Sequence, residues 1–183
     1  MNLFEYKYEE YSEQYDFFYK NKYLFKPTIN GEHHTNKHKY NYEIIKNKYN
    51  ITFPYGKCFP ISQFIFYYLG GYNSKYVLKC IRKIPIKIDN YQFTTSHWFV
   101  HEPNENIIID LTKKQFDKLL NIEDYYELGR RANYGYKYFH KNKNKIYSHT
   151  VPCSQVLKLY KHYREKHEKN EHLEYWLKEY ISP

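Results

Sequence analysis

The chain has 183 residues, of which 42% are hydrophobic and 27% are charged, proportions that are ordinary for one folded domain. Aromatic residues make up 21% of the chain and include 25 Tyr, which excludes intrinsic disorder as its main state. No run of about 18 apolar residues is present, so we expect no membrane span. The acidic start lacks an apolar region and is unlike a secretory signal.

The formal net charge of +9 indicates affinity for anions, but the excess is spread along the chain and forms no single basic arm. The abundant Lys, Asn, Ile, Tyr and Phe have A/T-rich codons, so a viral or low-GC genome explains part of the Lys and Tyr excess. A later segment interleaves basic and aromatic residues, among them Arg130, Arg131, Lys137 and Tyr138. Such a segment is either a solvated loop or a weak binding site for single-stranded nucleic acid.

Residues 1–50 are predicted to form an N-terminal helical extension. Aromatic residues recur at steps of three and four over residues 2–22, which predicts an amphipathic helix. Residues 26–38 are polar, contain Pro and Gly and lack periodicity, so we expect a loop there. A short helix is expected over residues 40–48.

Residues 51–125 are predicted to form the core of the domain. A helix is expected from Cys58 or Phe59 to Leu69, and Gly70 is a natural residue for its C-terminal end.

The hydrophobic period changes to two over residues 76–111, which predicts three strands, the last two joined as a hairpin. Residues 126–183 are expected to continue the same domain as a loop and a long helix that has Ser154 as its N-cap and ends near Tyr180. The predicted fold class is therefore α+β, with a central antiparallel sheet packed on the helix that starts at Cys58 and with further helices at both termini.

One arrangement of residues indicates chemistry. Cys58 begins the predicted helix, where unpaired backbone N–H groups favour the nucleophilic thiolate form of a cysteine. His97 lies in one strand of the predicted hairpin and Asp110 at the end of the next. If the hairpin turns through residues 102–105, His97 and Asp110 are directly opposed on one face, with Cβ atoms about 4.5–5.5 Å apart. An imidazole there can accept the thiol proton, and a carboxylate can fix the imidazole tautomer.

The same register places Trp98 opposite Ile109 and Val100 opposite Ile107 on the other face, which is apolar as a core face should be. Structural alternatives remain for each residue of the arrangement. Cys58 could be a small buried hydrophobic residue, His97 a structural histidine and Asp110 the N-cap of a following helix.

The segments GKCFPISQFIFYYLGG, SHWFV and NIIIDLTKKQF, in this order, resemble the Cys-His-Asp core of transglutaminase-like, papain-fold cysteine enzymes. The Gly pair after the helix is similar to that of the leader peptidases of lasso-peptide pathways. The resemblance covers roughly residues 54–120 and implies a papain/transglutaminase-like core with Cys58, His97 and Asp110 as the catalytic triad.

No clear counterpart of an oxyanion-hole side chain is visible in the resemblance. Tyr55, in the loop before Cys58, is the candidate side-chain donor beside the backbone N–H of Cys58. Gln92 and Gln115 are further candidates that the sequence does not rank.

These features predict a thiol-dependent hydrolase or acyltransferase that acts on an amide or ester carbonyl of a peptide or protein, as a cysteine peptidase, an amidase or deamidase, or a transglutaminase-like enzyme. One alternative is a non-catalytic binding protein for nucleic acid or protein on a degenerate form of the same fold. Another is an inert structural or host-interaction protein of a virus.

The three cysteines form no CxxC pair, which indicates free thiols in a reducing compartment. We therefore expect a cytoplasmic protein, in the host cytoplasm if the source is a virus. No metal and no cofactor are expected, and the sequence does not set the oligomeric state.

Overall fold

The computed structural model of the protein describes residues 4–25, 36–50, 53–71, 74–131, 152–167 and 170–175. The helices in these ranges are α1 (Ser12–Lys20), α2 (Asn36–Tyr49), α3 (Cys58–Tyr68), α4 (Tyr126–Arg131) and α5 (Ser154–Lys166). The strands are β1 (Glu5–Tyr6), β2 (Val77–Ile88), β3 (Tyr91–Glu102) and β4 (Ile107–Ile109). Short 3-10 helices cover Glu9–Tyr11, Lys22–Leu24, Lys113–Phe116 and Ile122–Tyr125.

The described strands form one four-stranded mixed sheet in the order β1-β4-β3-β2. The pairs β2–β3 and β3–β4 are antiparallel, whereas β1 pairs with β4 in parallel, so the expected antiparallel sheet is corrected to a mixed one. The backbone N–H groups of Glu5 and Lys7 donate to the carbonyls of Asn106 and Ile108. The helix predicted over residues 2–22 is wrong at its start, because this pairing with a distant strand satisfies the backbone there.

The β3–β4 hairpin has a different register from the predicted one. Val100 lies opposite Ile109, where the sequence placed it opposite Ile107. The strand continues to Glu102, whose carboxylate accepts two backbone N–H groups of the turn at 3.2 and 2.7 Å. A shift of two residues leaves every side chain on its expected face, because side chains alternate along a strand.

The sheet separates two hydrophobic clusters. On one face Val100 packs with residues of α3 and α5, such as Phe64 and Leu159, and we refer to this group as the α3 cluster. On the other face Ile81 and Phe99 pack with Tyr126, Phe116 and other residues, and we refer to this group as the α4 cluster. None of the helices in the described part of the chain has the length and apolar character needed to cross a membrane.

Helix α3 is almost entirely buried and packs against strand β3. Its sequence is nearly continuously apolar, and all of its residues from Pro60 to Tyr67 are buried. The Ser62 hydroxyl donates to the backbone carbonyl of Trp98 at 2.9 Å, and the rings of Phe59 and Trp98 are 4.9 Å apart. Gly70, with φ of 109°, lies just past the end of the helix, as predicted.

The predicted C-terminal helix to Tyr180 is wrong at His167. Helix α5 ends at Lys166, and His167 has extended backbone with φ of −128° and ψ of 165°. Its ring stacks on Tyr163 with the centroids 4.1 Å apart. Helical backbone resumes over 171–175, where the Asn170 side chain accepts the Leu173 backbone N–H at 3.0 Å as a helix cap.

Two predicted loops lie largely outside the described residues. The loop expected over 26–38 falls outside them up to residue 35, and α2 begins at Asn36. Lys137 and Tyr138 of the basic and aromatic segment also lie outside them. Its first residues, Arg130 and Arg131, belong to α4, and the Arg130 guanidinium donates two hydrogen bonds to the Glu127 carboxylate.

Gly129 permits the close approach of α4 to the sheet, and Gly129→Ala tests that approach. A Cβ at this position would lie 2.6 Å from Ile81 Cγ1 and 2.8 Å from Phe99 Cε1. We expect a net loss of about 1–2 kcal/mol in the free energy of unfolding, because overpacking outweighs the helix propensity gained by Ala. Urea unfolding measures this loss. Leu128→Ala, at a neighbour that is 59% exposed, is the control and should stay within about 0.5 kcal/mol of wild type. Equal losses in the two variants would contradict the packing of α4.

Candidate active site

His97 and Asp110 form a hydrogen-bonded pair beside the α4 cluster. His97, in β3, is fully buried, and its ring lies edge-on to Phe116 with the centroids 4.8 Å apart. Asp110 follows β4 directly, and its Oδ2 lies 2.5 Å from His97 Nε2. Continuing the observed register places Asp110 opposite Phe99, so the expected direct opposition of His97 and Asp110 is corrected to a diagonal one. The structure nevertheless brings the two side chains together, because they share a face.

Both carboxylate oxygens of Asp110 have further partners. Oδ1 accepts the backbone N–H and the hydroxyl of Thr112 at 2.9 and 3.0 Å. Oδ2 accepts the hydroxyl of Tyr126, from α4, at 2.6 Å. Asp110 therefore combines two roles that the sequence presents as alternatives, since one oxygen caps the following turn while the other holds His97. Tyr126 was missed at the sequence level, because it is one of 25 Tyr and its approach depends on the packing of α4.

Burial and pairing shift the pKa values of His97 and Asp110 in opposite directions. Burial alone would lower the pKa of His97, but the Asp110 carboxylate, together with hydrogen bonds to Asp110 and Cys58, raises it above its ordinary value. Burial alone would raise the pKa of Asp110, but the imidazole and the hydrogen bonds from Tyr126 and Thr112 lower it below 3.8. Each partner therefore stabilises the charged form of the other.

Cys58 lies where the chain passes from one face of the sheet to the other. Tyr55 packs against the α4 cluster, and Phe59 packs against the α3 cluster. Among the described strands, β4 pairs with β3 only over Val100–Glu102, so it leaves the edge of β3 beside His97 uncovered. We infer that the chain crosses the sheet edge there, because Tyr55 and Phe59 pack on opposite faces and Cys58 lies between them in the chain. The thiol is partly exposed, and its interaction with the imidazole contributes to the raised pKa of His97.

The contacts of Cys58 define its chemical setting. His97 Nε2 is engaged by Asp110, so Nδ1 is the ring nitrogen that remains for an interaction with the Cys58 thiol. Cys58 is the first residue of α3, and its backbone N–H has no carbonyl partner within the helix. Lys57 adds an electrostatic contact with the thiol. Burial lowers the pKa of Lys57, and the contact with Cys58 partly offsets that effect.

Gln115 joins the loop before α3 to His97. It is 5% exposed, its Oε1 accepts the backbone N–H of Gly56 at 3.2 Å, and its Nε2 lies 3.3 Å from His97 Nδ1. Gln92, which the sequence offers as an equal candidate, is exposed and pairs with Lys87 at the other end of β3. The structure thus distinguishes two glutamines that the sequence alone does not rank.

Tyr55 lies in the turn before α3 and is partly buried against the α4 cluster. Its place in the chain, three residues before Cys58, keeps it a candidate donor to an oxyanion.

Gln63, in α3, is fully buried, and its Oε1 accepts the backbone N–H of Cys153 at 2.9 Å.

The other two thiols differ from Cys58 in setting. Burial, with a smaller contribution from Cys58, raises the pKa of Cys80 to about 12. Cys153 is partly exposed and precedes α5 as its N-cap residue, so it resembles Cys58 in exposure and in its position at a helix start. Within the described ranges, no group of three or more His, Cys, Asp or Glu side chains is arranged to hold a metal ion.

Comparison of the chain with protein-family models, with curated proteins and with solved structures finds no match. The functional conclusion therefore depends on the geometry of the site. That geometry consists of a buried imidazole and carboxylate pair and a partly exposed thiol at the start of a helix.

Tyr126→Phe tests the support that α4 gives to Asp110. The variant removes a hydrogen bond to a charged oxygen, and we expect the free energy of unfolding to fall by about 1.5–3 kcal/mol. Tyr160→Phe is the matched control, because Tyr160 is equally buried and its hydroxyl donates at 3.1 Å to a neutral acceptor, the carbonyl of Phe64. Its expected loss is about 0.5–1.5 kcal/mol. A loss in Tyr160→Phe as large as that in Tyr126→Phe would contradict a charged Asp110.

Asp110→Asn tests the electrostatic pairing through the pH dependence of stability. The lowered pKa of Asp110 means that its contribution is present above pH 3.8 and is lost as pH falls through the folded value. The raised pKa of His97 means that its contribution is present below pH 6.5 and is lost as pH rises through the folded value. Asp110→Asn should therefore cost about 3–5 kcal/mol near pH 5, and less as the pH falls. Urea unfolding across this range measures the difference, and a cost that does not change with pH would contradict the pairing.

Proposed function

We propose that the protein is a thiol-dependent hydrolase or acyltransferase that acts on an amide or ester carbonyl of a peptide or protein. The observation that carries this proposal is the His97 imidazole, which hydrogen-bonds through Nε2 to the buried Asp110 carboxylate and also interacts with the partly exposed Cys58 thiol. A nucleophile, a base and a group that orients the base are the three parts of a catalytic triad.

In the acylation step, Cys58 Sγ attacks the carbonyl carbon and its proton passes to His97 Nδ1. The new S–C bond forms as the carbonyl π electrons move to the oxygen, which becomes an oxyanion. Collapse of this intermediate breaks the bond to the leaving amine or alcohol, which takes the proton from His97. The product is a thioester on Cys58.

Deacylation uses the same groups. His97 accepts a proton from water or from an amine while that acceptor attacks the thioester carbonyl, and the proton then returns to Cys58 as the thiol leaves. Water as acceptor gives peptidase, amidase or deamidase activity, and an amine gives acyl transfer. Asp110 holds the Nε2–H of His97 throughout, so Nδ1 faces the thiol in both steps.

The start of α3 offers a donor to the oxyanion. The backbone N–H of Cys58 has no partner within the helix and lies at the positive end of the helix dipole. We propose Tyr55 as a side-chain donor, since it lies in the turn that leads into α3.

We also propose that the core is of the papain and transglutaminase-like type. The support is α3 packed on β3 with Cys58 at its start, with His97 on β3 and Asp110 directly after the antiparallel strand β4. The parallel strand β1 is an addition that the resemblance does not imply.

Acyl-enzyme formation tests the proposed function. Wild-type protein is incubated with p-nitrophenyl acetate, and the acetylated cysteine is located by peptide mass spectrometry. We expect Cys58 to be acetylated in preference to Cys153, which is also partly exposed at a helix start. His97→Ala should lower the rate of Cys58 acetylation by about 10²–10⁴, because the base is lost.

Cys153→Ser provides the control for this experiment and should leave the acetylation rate of Cys58 unchanged. Acetylation of Cys58 no faster than that of Cys153, or a Cys58 rate that His97→Ala does not lower, would contradict the proposal.

A further inference from the structure

The orientation of the Gln115 side-chain amide follows from the groups around it. The backbone N–H of Gly56 can only donate a hydrogen bond, so the side-chain atom 3.2 Å away must be the Gln115 oxygen, Oε1. The NH₂ group of the same amide then lies on the other side, 3.3 Å from His97 Nδ1. An NH₂ group can only donate, so this hydrogen bond requires Nδ1 to be the acceptor.

The acceptor role of Nδ1 favours one state of the imidazole. A neutral imidazole has one N–H and one acceptor nitrogen, so its proton must be on Nε2, where the Asp110 carboxylate accepts it. In the imidazolium form Nδ1 would also carry a proton, and that N–H would face the NH₂ of Gln115, donor against donor. Turning the amide over would only move the same conflict to Gly56.

We propose that Gln115 is a positioning residue that favours the neutral Nε2–H imidazole of His97, against the effect of Asp110, and so opposes transfer of the Cys58 proton in the resting protein. This inference rests on the proposed function, because it concerns how the same nucleophile is restrained. Gln115 thereby prepares Nδ1 to act as a base and at the same time disfavours an ion pair before substrate arrives.

This opposition to proton transfer ends when the Gln115 N–H donates its hydrogen bond to another acceptor. The oxygen of a substrate carbonyl is such an acceptor, and it becomes a stronger one as negative charge develops during attack by Cys58. Proton transfer to His97 is therefore coupled to the presence of substrate. A resting thiol held in this way is also less reactive towards oxidants and alkylating agents.

The other groups around His97 act in the opposite direction or are unchanged in the test. Asp110 and the Cys58 thiol both favour the imidazolium form of His97. Asp110 also accepts a hydrogen bond from the hydroxyl of Tyr126. Lys57 interacts with Cys58, and its contribution is the same in every Gln115 variant. The aromatic neighbours of the imidazole, Phe99 and Phe116, carry no charge.

The test is the rate at which iodoacetamide alkylates Cys58 at pH 6, divided by the rate at pH 10 to correct for access to the thiol. Peptide mass spectrometry locates the modification. Gln115→Met removes the N–H that faces Nδ1, and we expect the rate ratio to rise about two- to tenfold, the effect of one hydrogen bond. Gln115→Asn keeps the amide but is one methylene too short to span Gly56 and His97, so the same rise is expected. An unchanged or lower ratio in both variants would overturn the inference.

Gln14→Met is the matched control, because Gln14 and Gln115 are both 5% exposed and the Gln14 amide donates to the hydroxyls of Tyr68 and Tyr163, away from His97. It should leave the ratio unchanged. Gly56 is exposed, so water can replace Gln115 at its N–H and the Gln115 variants should keep the fold.

His97→Ala separates the two proposals. If His97→Ala leaves the alkylation of Cys58 unchanged, the Cys58–His97 pair itself is absent, and the proposed function fails together with the inference. If His97→Ala changes the alkylation but the Gln115 variants do not, only the role of Gln115 fails.

Discussion

The buried hydrogen bond between His97 and Asp110 is the interaction on which the rest of the site depends. A carboxylate moved out of water costs several kcal/mol unless hydrogen bonds and an opposite charge compensate it. The His97 imidazole supplies one hydrogen bond to Asp110 from Nε2, and Thr112 and Tyr126 supply the others. Tyr126 reaches the carboxylate because α4 lies close to the sheet, where Gly129 leaves room for Ile81 and Phe99. The packing of α4 is therefore part of the electrostatics of the site.

The short strand β4 links the fold to the chemistry. It pairs with β3 over three residues, and the chain then turns away at Asp110. That turn delivers the carboxylate to the face that carries His97. The same short pairing leaves the neighbouring edge of β3 uncovered by β4, and Cys58 crosses there at the start of α3. A longer β4 would hold Asp110 in the ladder and cover the edge at which the thiol meets the imidazole.

Local patterns in the sequence predict the parts of this arrangement that depend on neighbouring residues. The apolar run after Cys58 predicts α3, and the period of two predicts strands β2 to β4. The shared face of His97 and Asp110 was predicted despite a wrong register, because a shift of two residues does not change a side chain's face. Contacts between distant residues could not be predicted in this way. The pairing of β1 with β4, the hydroxyl of Tyr126 and the bridge made by Gln115 each depend on how separate elements pack.

Direct observation of the His97 ring by NMR tests whether its Nε2–H is held by the Asp110 carboxylate. Protein labelled with ¹⁵N-histidine is examined by long-range proton–nitrogen correlation, and the His97 signals are assigned by their loss in His97→Gln. We expect a proton on Nε2 that exchanges slowly with water, because that nitrogen is buried against Asp110, and a His97 resonance that moves in Asp110→Asn. A proton on Nδ1 alone, or a His97 spectrum that Asp110→Asn leaves unchanged, would contradict the account.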